Sequence, residues 1–451
     1  MSGSTNMTSA VPRSNRLLRI LGVGFGIAIG IGTTVGGGIL RTPGEVAVDL
    51  GTGPLTFAAW ILGGLYTLLF CGTVSELTTR VPRAGGWYVF SKAAFGPRTG
   101  FVVGCCDWTM LAVANAFGAI ALGEVTVAAI PALAQHETAV ALVAMSLIAL
   151  VNLVGLRSGS RAQTVTTLVK ALALIALIVG CFAVVGAPAQ PPPAHPVHHP
   201  GMLLGWLFAA QAVVFSYDGW YTPMYFAEEI EEPAKSLPRS MVGTVLACVI
   251  MFVLVNAALI QVLGIERLQQ SKIPAADAAL WVFGGFGKQV LLLISAVTLI
   301  STLNANVLTA PRVLYGLARD GLLPQGLSSV NQGGTPAWAL LLCLAVSVAL
   351  ILSGTVETML AIVSVLMVAV YVSGFLSLLV LRRREPHAPR TFRAWAHPWS
   401  TLALLLVSLA FLLCAVIGDL KHSILTVLVV GLSYLASYVF MREPPRDSHE
   451  P

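Results

Sequence analysis

Charge is scarce in this chain. Asp, Glu, Lys and Arg make up 10% of its 451 residues, against about 25% in soluble domains. That scarcity excludes an ordinary soluble enzyme and leaves no basic domain for nucleic acid to bind. Metal and thiol chemistry are also unsupported. The seven cysteines (Cys71, Cys105, Cys106, Cys181, Cys248, Cys343, Cys414) lie in or beside apolar stretches. None is spaced as a metal site, so they read as small core hydrophobes. The eight histidines (His136, His195, His198, His199, His387, His397, His422, His449) fall in loops, tails or segment ends. No nucleophile–base pair is visible, and no catalytic group, cofactor or metal is expected. Residues 1–15 lack the apolar core and cleavage site of a signal peptide and read as a cytoplasmic tail.

What is abundant is apolar sequence, at 56% of residues. Stretches of 18 or more, each able to cross a bilayer at 1.5 Å per residue, recur from end to end. About twelve are expected, near 20–50, 54–79, 99–130, 138–156, 163–186, 202–231, 239–263, 286–312, 337–353, 358–381, 398–418 and 422–441. Alternate loops hold 20 of the 26 Lys and Arg, in clusters such as Arg80–Arg98 and Arg382–Arg393. The positive-inside rule then puts both termini in the cytoplasm, which an even number of spans allows. The fold class is an all-α, multi-pass membrane protein whose lasting partner is the lipid bilayer.

Two of these segments are broken in the middle. The first is interrupted by Gly32-Thr33-Thr34-Val35-Gly36-Gly37-Gly38 and the second by Ser216-Tyr217-Asp218-Gly219-Trp220. A glycine costs a helix about 1 kcal/mol, and a carboxylate deep in a bilayer costs several more. Such breaks persist where they line a cavity and the freed backbone binds something. Paired breaks in corresponding halves point to the substrate site of a secondary transporter. They divide the chain into a tail (1–19), a five-helix repeat (20–186), a Pro/His-rich external loop (187–201) and an inverted second repeat (202–381). Two further helices (398–441) and a short tail (442–451) follow.

A half-helix starting near Gly38 directs N–H groups and the positive end of its dipole at a ligand carboxylate. Thr33 and Thr34 add hydroxyls; the competing reading is close helix packing through small residues. At the second break Phe215 and Trp220 are aromatic walls, and Asp218 with unwound carbonyls accepts from an ammonium. Asp218 is alternatively a proton-binding group or a structural hydrogen bond. Lys170 lies mid-span and should meet carbonyls or a carboxylate, as a stand-in for a coupling cation or as a fixed tie. Asp107 and Glu124 are read as lying near span ends. Glu76 is expected to pair with Arg80 one turn on. Glu228, Glu229, Glu231 and Glu232 form an inner gate with arginines or are simply solvated. Trp87, Trp281, Trp338, Trp395 and Trp399 read as interfacial anchors.

In these residues the chain resembles the amino acid–polyamine–organocation transporters, in particular the L-type amino acid transporter branch. Gly32-Thr-Thr-Val-Gly-Gly-Gly-Ile39 is similar to the G-x-x-x-G-S-G-I motif of the family's first helix. Phe215-Ser-Tyr-Asp-Gly-Trp220, with Glu228-Glu-Ile-Glu-Glu-Pro233 and Leu237-Pro-Arg239, resembles its sixth-helix signature. Glu76, Pro82 and Gly85-Gly86-Trp87-Tyr88 match the second-helix region, and Ala318-Arg-Asp-Gly-Leu-Leu-Pro324 the loop after helix eight. The resemblance implies the LeuT-type fold, a 5+5 inverted repeat with helices 1 and 6 broken plus two C-terminal helices. It implies a substrate site of Thr33, Thr34, Gly36, Gly37, Gly38, Ile39, Asn115, Phe215, Ser216, Tyr217, Asp218, Gly219 and Trp220. Phe215 would be its lid, and Lys170 matches a family lysine near the place of a sodium ion in related transporters. With Asp218, read from its own chemistry as a proton-binding group, Lys170 makes up the expected coupling residues. Gly37 replaces the family's serine, Asp218 replaces the glycine of animal members, and Pro131–Glu137 lacks their linking cysteine. No disulfide-linked accessory subunit is therefore expected.

The expectation is an inner-membrane transporter of a small neutral amino acid, by exchange or with protons as coupling ion. A cationic amino acid or polyamine transporter, and a sensor that binds without transport, are the alternatives.

Overall fold

The computed structural model describes residues 17–184 and 201–440. His195, His198 and His199, residues 1–16 of the N-terminal tail and the C-terminal tail fall outside those residues. Among the described residues the chain folds into α-helices with short 3₁₀ turns. The first broken segment is α1 (Val23–Thr34) and α2 (Gly38–Leu50), bent by 50° at the break. Then come α3 (Gly53–Arg80), α4 (Trp87–Phe95), α5 (Pro97–Ala129), α6 (Glu137–Val154) and α7 (Leu156–Ala183). The second broken segment is α8 (Met202–Ser216) with the turns to Phe226, followed by α9 (Pro233–Gln270), α10 (Pro274–Phe283) and α11 (Gly287–Arg319). The last four are α12 (Ala337–Ser353), α13 (Val356–Arg384), α14 (Trp399–Gly418) and α15 (Leu420–Phe440). Among the described residues nine helices are long and apolar enough to cross a membrane, with α10 and α11 counted as one, and the bent pair makes ten. The shorter apolar helices α8 and α12 occupy the other two of the twelve expected positions.

Proline and glycine set many boundaries. Proline opens α3, α5, α9 and α10, where its missing N–H has no partner to lose. Gly51 and Gly354, both left-handed, close α2 and α12. Gly155 alone separates α6 from α7, so α7 starts at Leu156 instead of 163. A Cβ there would meet the Gly333 backbone at 2.9 Å. Neither α4 nor α10 is apparent in the spans read from sequence, because each is too short for a hydropathy window.

Helices α1, α2, α3, α8 and α9 pack as one group, while α5, α6, α11 and α12 pack as another. Helix α7 bridges them through contacts to α1, α9 and α11. The largest apolar core joins α3, α4, α5, the second break and α13, so the breaks lie where the groups meet.

At the arginine-rich end the chain is sealed by polar pairing. Leu21 and Ile230 form a parallel β-bridge, with Leu21 N donating to Glu229 O at 2.9 Å and Glu231 N to Leu21 O at 2.8 Å. Arg312 grips Glu229 with two hydrogen bonds of 2.9 and 2.8 Å; both side chains are buried, and the guanidinium lies over Phe226. Arg319 reaches Glu228 and Asp320. Asp320 also receives Lys92 at 2.8 Å and Arg83 at 3.1 Å. Burial alone would raise the Asp320 carboxyl, but the Lys92 hydrogen bond and the charges of Arg319 and Arg83 outweigh it. They hold it below the usual carboxylate range. Glu228 and Glu229 pair with arginines, the contact an inner gate would need, whereas Glu231 and Glu232 are exposed.

Three sequence expectations need correction. Glu76 binds Arg382 and the Ala394 N–H, and Arg80 instead meets Glu385 and the Leu381 carbonyl. One turn of spacing permits a pair, but the last turn of α13 and the segment after it offer Glu76 more donors. Trp87 is a buried core ring against Phe70 and Tyr371, whereas Trp281, Trp338, Trp395 and Trp399 are exposed. Asp107 lies three turns inside α5, where the Tyr225 hydroxyl donates to it at 2.7 Å. The helix begins at Pro97, two residues before the expected span, so Asp107 is its eleventh residue and is buried within it.

Candidate functional site

The first break leaves carbonyls pointing away from any helix. Lys170, buried on α7, donates to Gly32 O at 2.9 Å and to Val35 O at 2.7 Å. Thr302 of α11 adds a 3.0 Å bond to Gly32 O. An ammonium and a hydroxyl thus replace the helical N–H groups that the break removes. The lysine meets carbonyls, one of the two environments expected of it. Beside it, Gln163, Thr167, Ser301 and Asn304 form a buried hydrogen-bonded chain that reaches Ala28 O.

On the other side of the break the backbone is open. Gly37 and Gly38 are exposed, and a Cβ added at Gly36 or Gly37 would meet nothing within 4 Å. The first N–H groups of α2 have no partner within that helix. The half-helix begins at Gly38, as the glycine run implied. Its positive end and free N–H groups can bind an anion. Thr34, Val35 and Ile39 are buried beneath this surface.

The two breaks touch. Thr33 Oγ1 bonds Gly219 O at 2.8 Å and lies 3.0 Å from Thr222 Oγ1. Gly219 has φ of 106°, and a Cβ there would come within 2.9 Å of the Thr33 carbonyl carbon. Only glycine allows both that dihedral and that approach. Ser216 Oγ returns to Ala212 O at 2.9 Å and is the nearest side chain to a Cβ built on Gly38.

Asp218 is only half-buried, and its carboxylate already has partners. The Tyr371 hydroxyl donates to Oδ1, and the Tyr221 hydroxyl to Oδ2 at 3.3 Å; the two hydroxyls are 3.0 Å apart. Trp220 is buried against Phe70 and Tyr221. Tyr217 points to α3, donating to Trp60 O at 3.1 Å and packing on Phe252. Phe215 is half-buried at the edge of the large core.

Most of the residues singled out in the sequence therefore converge, with Thr33, Gly36, Gly37, Gly38, Phe215, Ser216, Asp218, Gly219 and Lys170 around the paired breaks. Asn115 does not join them. It is buried in a small cleft lined by Met145, Ala149, Val307, Leu340, Cys343 and Leu344, with neither amide atom hydrogen-bonded. Residues missed are Thr222, Thr302, Tyr221, Tyr371 and the Gln163–Asn304 chain. Gln163, Thr167 and Lys170 follow a helical i, i+4, i+7 spacing that would have marked one polar face. Tyr371 carried no comparable signal.

Comparison with known proteins agrees with this architecture. A profile of the amino acid permease family matches residues 18–434. The serine/threonine exchanger SteT of Bacillus subtilis (strain 168) is 27% identical over 438 residues, 95% of this chain and 98% of its own length. The Asc-type amino acid transporter 1 of Mus musculus is 26% identical over 386 residues, 83% and 72% of the two chains. The cystine/glutamate transporter of Homo sapiens is 24% identical over 380 residues, 82% and 75%. With its paired helix breaks and a match across nearly its whole length, this chain belongs to the amino acid permease family of the amino acid–polyamine–organocation transporters.

Proposed function

We propose that this protein exchanges small neutral amino acids across the inner membrane by alternating access, with both termini in the cytoplasm. The supporting observation is the meeting of two helix breaks, where the backbone at Gly36 and Gly37 borders open space, α2 begins at Gly38, and a buried lysine ties the carbonyls behind them. The substrate carboxylate sits on Gly36, Gly37 and Gly38, and its amine takes the unwound carbonyls near Ser216 and Asp218. Phe215 closes over it, and Thr33 with Gly219 keeps the two breaks together. Lys170 supplies the positive charge behind the break, so no sodium ion is needed there. Engagement by two tyrosine hydroxyls already occupies about half of the acceptor sites of the Asp218 carboxylate, which weakens it as a partner for a second substrate cation and disfavours cationic amino acids and polyamines. It also leaves Asp218 as the residue at which a coupling proton would bind. Exchange is favoured by the serine/threonine exchanger that matches along nearly its entire length. The absence of cysteine in Pro131–Glu137 favours a transporter that works without a disulfide-linked subunit.

The test is uptake of labelled amino acids into proteoliposomes, with and without internal amino acid and with an imposed pH gradient. Exchange is supported by uptake that requires internal substrate. Gradient-driven uptake into empty vesicles would replace exchange with proton symport. Binding without flux would make the protein a sensor.

A further inference from the structure

A groove of about 540 Å³ opens at the arginine-rich end, between the first turns of α9 and the segment joining α13 to α14. One wall is Lys235, Arg239 and Leu246, and the other is Thr391, Phe392 and Trp395. The charged groups sit at one end. Lys235 and Arg239 are exposed; Lys235 meets the exposed Glu232 at 3.1 Å, and Arg239 makes no ion pair among the described residues. Beyond them the same face of α9 turns apolar and stays uncovered, with Leu246 46%, Ile250 61% and Leu254 42% exposed. The rise from Arg239 to Ile250 is about 16 Å, close to the ~15 Å depth of one hydrocarbon leaflet. The facing Trp395 is 41% exposed, lies edge-on to Phe392 and is seated in the space left by Gly72. Glu76 fixes this wall by accepting from the Ala394 N–H at 2.7 Å.

We propose that this groove binds one anionic phospholipid of the cytoplasmic leaflet. Arg239 and Lys235 hold its phosphate, the Thr391 hydroxyl lies at headgroup level, and an acyl chain lies along Leu246, Ile250 and Leu254. A free phosphate would use the cations alone, whereas a lipid uses the cations and the uncovered apolar ridge together. Basic pockets at the cytoplasmic ends of helices select anionic headgroups. Since α9 is the next helix after the second break, reached through the turns to Phe226 and the Glu228–Glu232 segment, the lipid braces the helix that this segment leads into.

Native mass spectrometry of the delipidated protein tests this without reference to transport. Phosphatidylglycerol, phosphatidylcholine of the same chains, and glycerol 3-phosphate are titrated separately. The wild type should retain one phosphatidylglycerol about tenfold or more in preference to phosphatidylcholine. The R239Q/K235Q double variant should lose that preference, and L246N should weaken both lipids. Equal retention of phosphatidylglycerol by wild type and double variant would overturn the proposal. So would binding of glycerol 3-phosphate as tight as that of the lipid.

Discussion

Replacing Lys170 with Met probes the lysine that closes the first break. The ammonium makes two bonds, of 2.9 Å to Gly32 O and 2.7 Å to Val35 O. Bonds to a charged donor contribute about 1.5–3 kcal/mol each, and desolvating the ammonium offsets several kcal/mol of that. Met has nearly the same length and no donor. Gly32 O keeps Thr302 at 3.0 Å, so one buried carbonyl, that of Val35, loses its lysine bond. That group costs about 1–3 kcal/mol, so the variant should still fold, with a lower melting temperature in detergent. The functional loss should be larger than the stability loss. The carbonyls of Gly32 and Val35 anchor the turn that leads directly into Gly36 and Gly37. If they shift, the N–H groups no longer converge on a carboxylate, and a misplacement of about 1 Å is enough to cost 100-fold. Uptake by Lys170→Met proteoliposomes, normalised to folded protein, should therefore fall by at least about tenfold. Wild-type uptake in a folded Lys170→Met variant would refute the reasoning.

Arg312→Ala should be the most destabilising single change at the arginine-rich end. It strands a fully buried Glu229, at about 3–5 kcal/mol. The Arg312→Met, Glu229→Gln double variant should recover much of the melting temperature. Asp320 gives a pH dependence whose sign follows from its depressed carboxyl. Its contribution is present above the unfolded value of about 3.9 and is lost as pH falls through the lower folded value. Asp320→Asn should lower the melting temperature near neutral pH and flatten the acid limb of a stability–pH profile below about pH 4. Asp218→Asn should leave exchange measurable and remove any uptake driven by a pH gradient, as read by flux into empty vesicles.

Much of this architecture was legible because membrane insertion imposes few patterns. Apolar length marked the spans, and glycine with polar residues inside two of them marked the breaks, down to the first residue of α2. Lys170 was legible because an ammonium in mid-span must find acceptors. The failures share one physical origin, the choice of partner at long range. The spacing pairs Glu76 with its neighbour on the helix, yet the end of α13 and the segment after it, some three hundred residues on, offer more donors. Trp87 looked like an interfacial anchor because it follows a loop, yet α4 folds back and buries it. Asn115 rested on likeness of position alone, and the side chain points into a different cleft. The tyrosines around Asp218 belong to separate elements, and nothing local to Tyr371 announces that it will meet a carboxylate.

The central claim is that the open backbone of the first break binds the substrate. A Cβ at Gly37 meets nothing within 4 Å, so Gly37→Phe should fill the site without disturbing the fold. Binding of a labelled small neutral amino acid to purified protein, measured by scintillation proximity beside a melting curve, is the most direct test. The account expects saturable binding to the wild type and none to a Gly37→Phe variant that melts as the wild type does. Undiminished binding to that variant would contradict it.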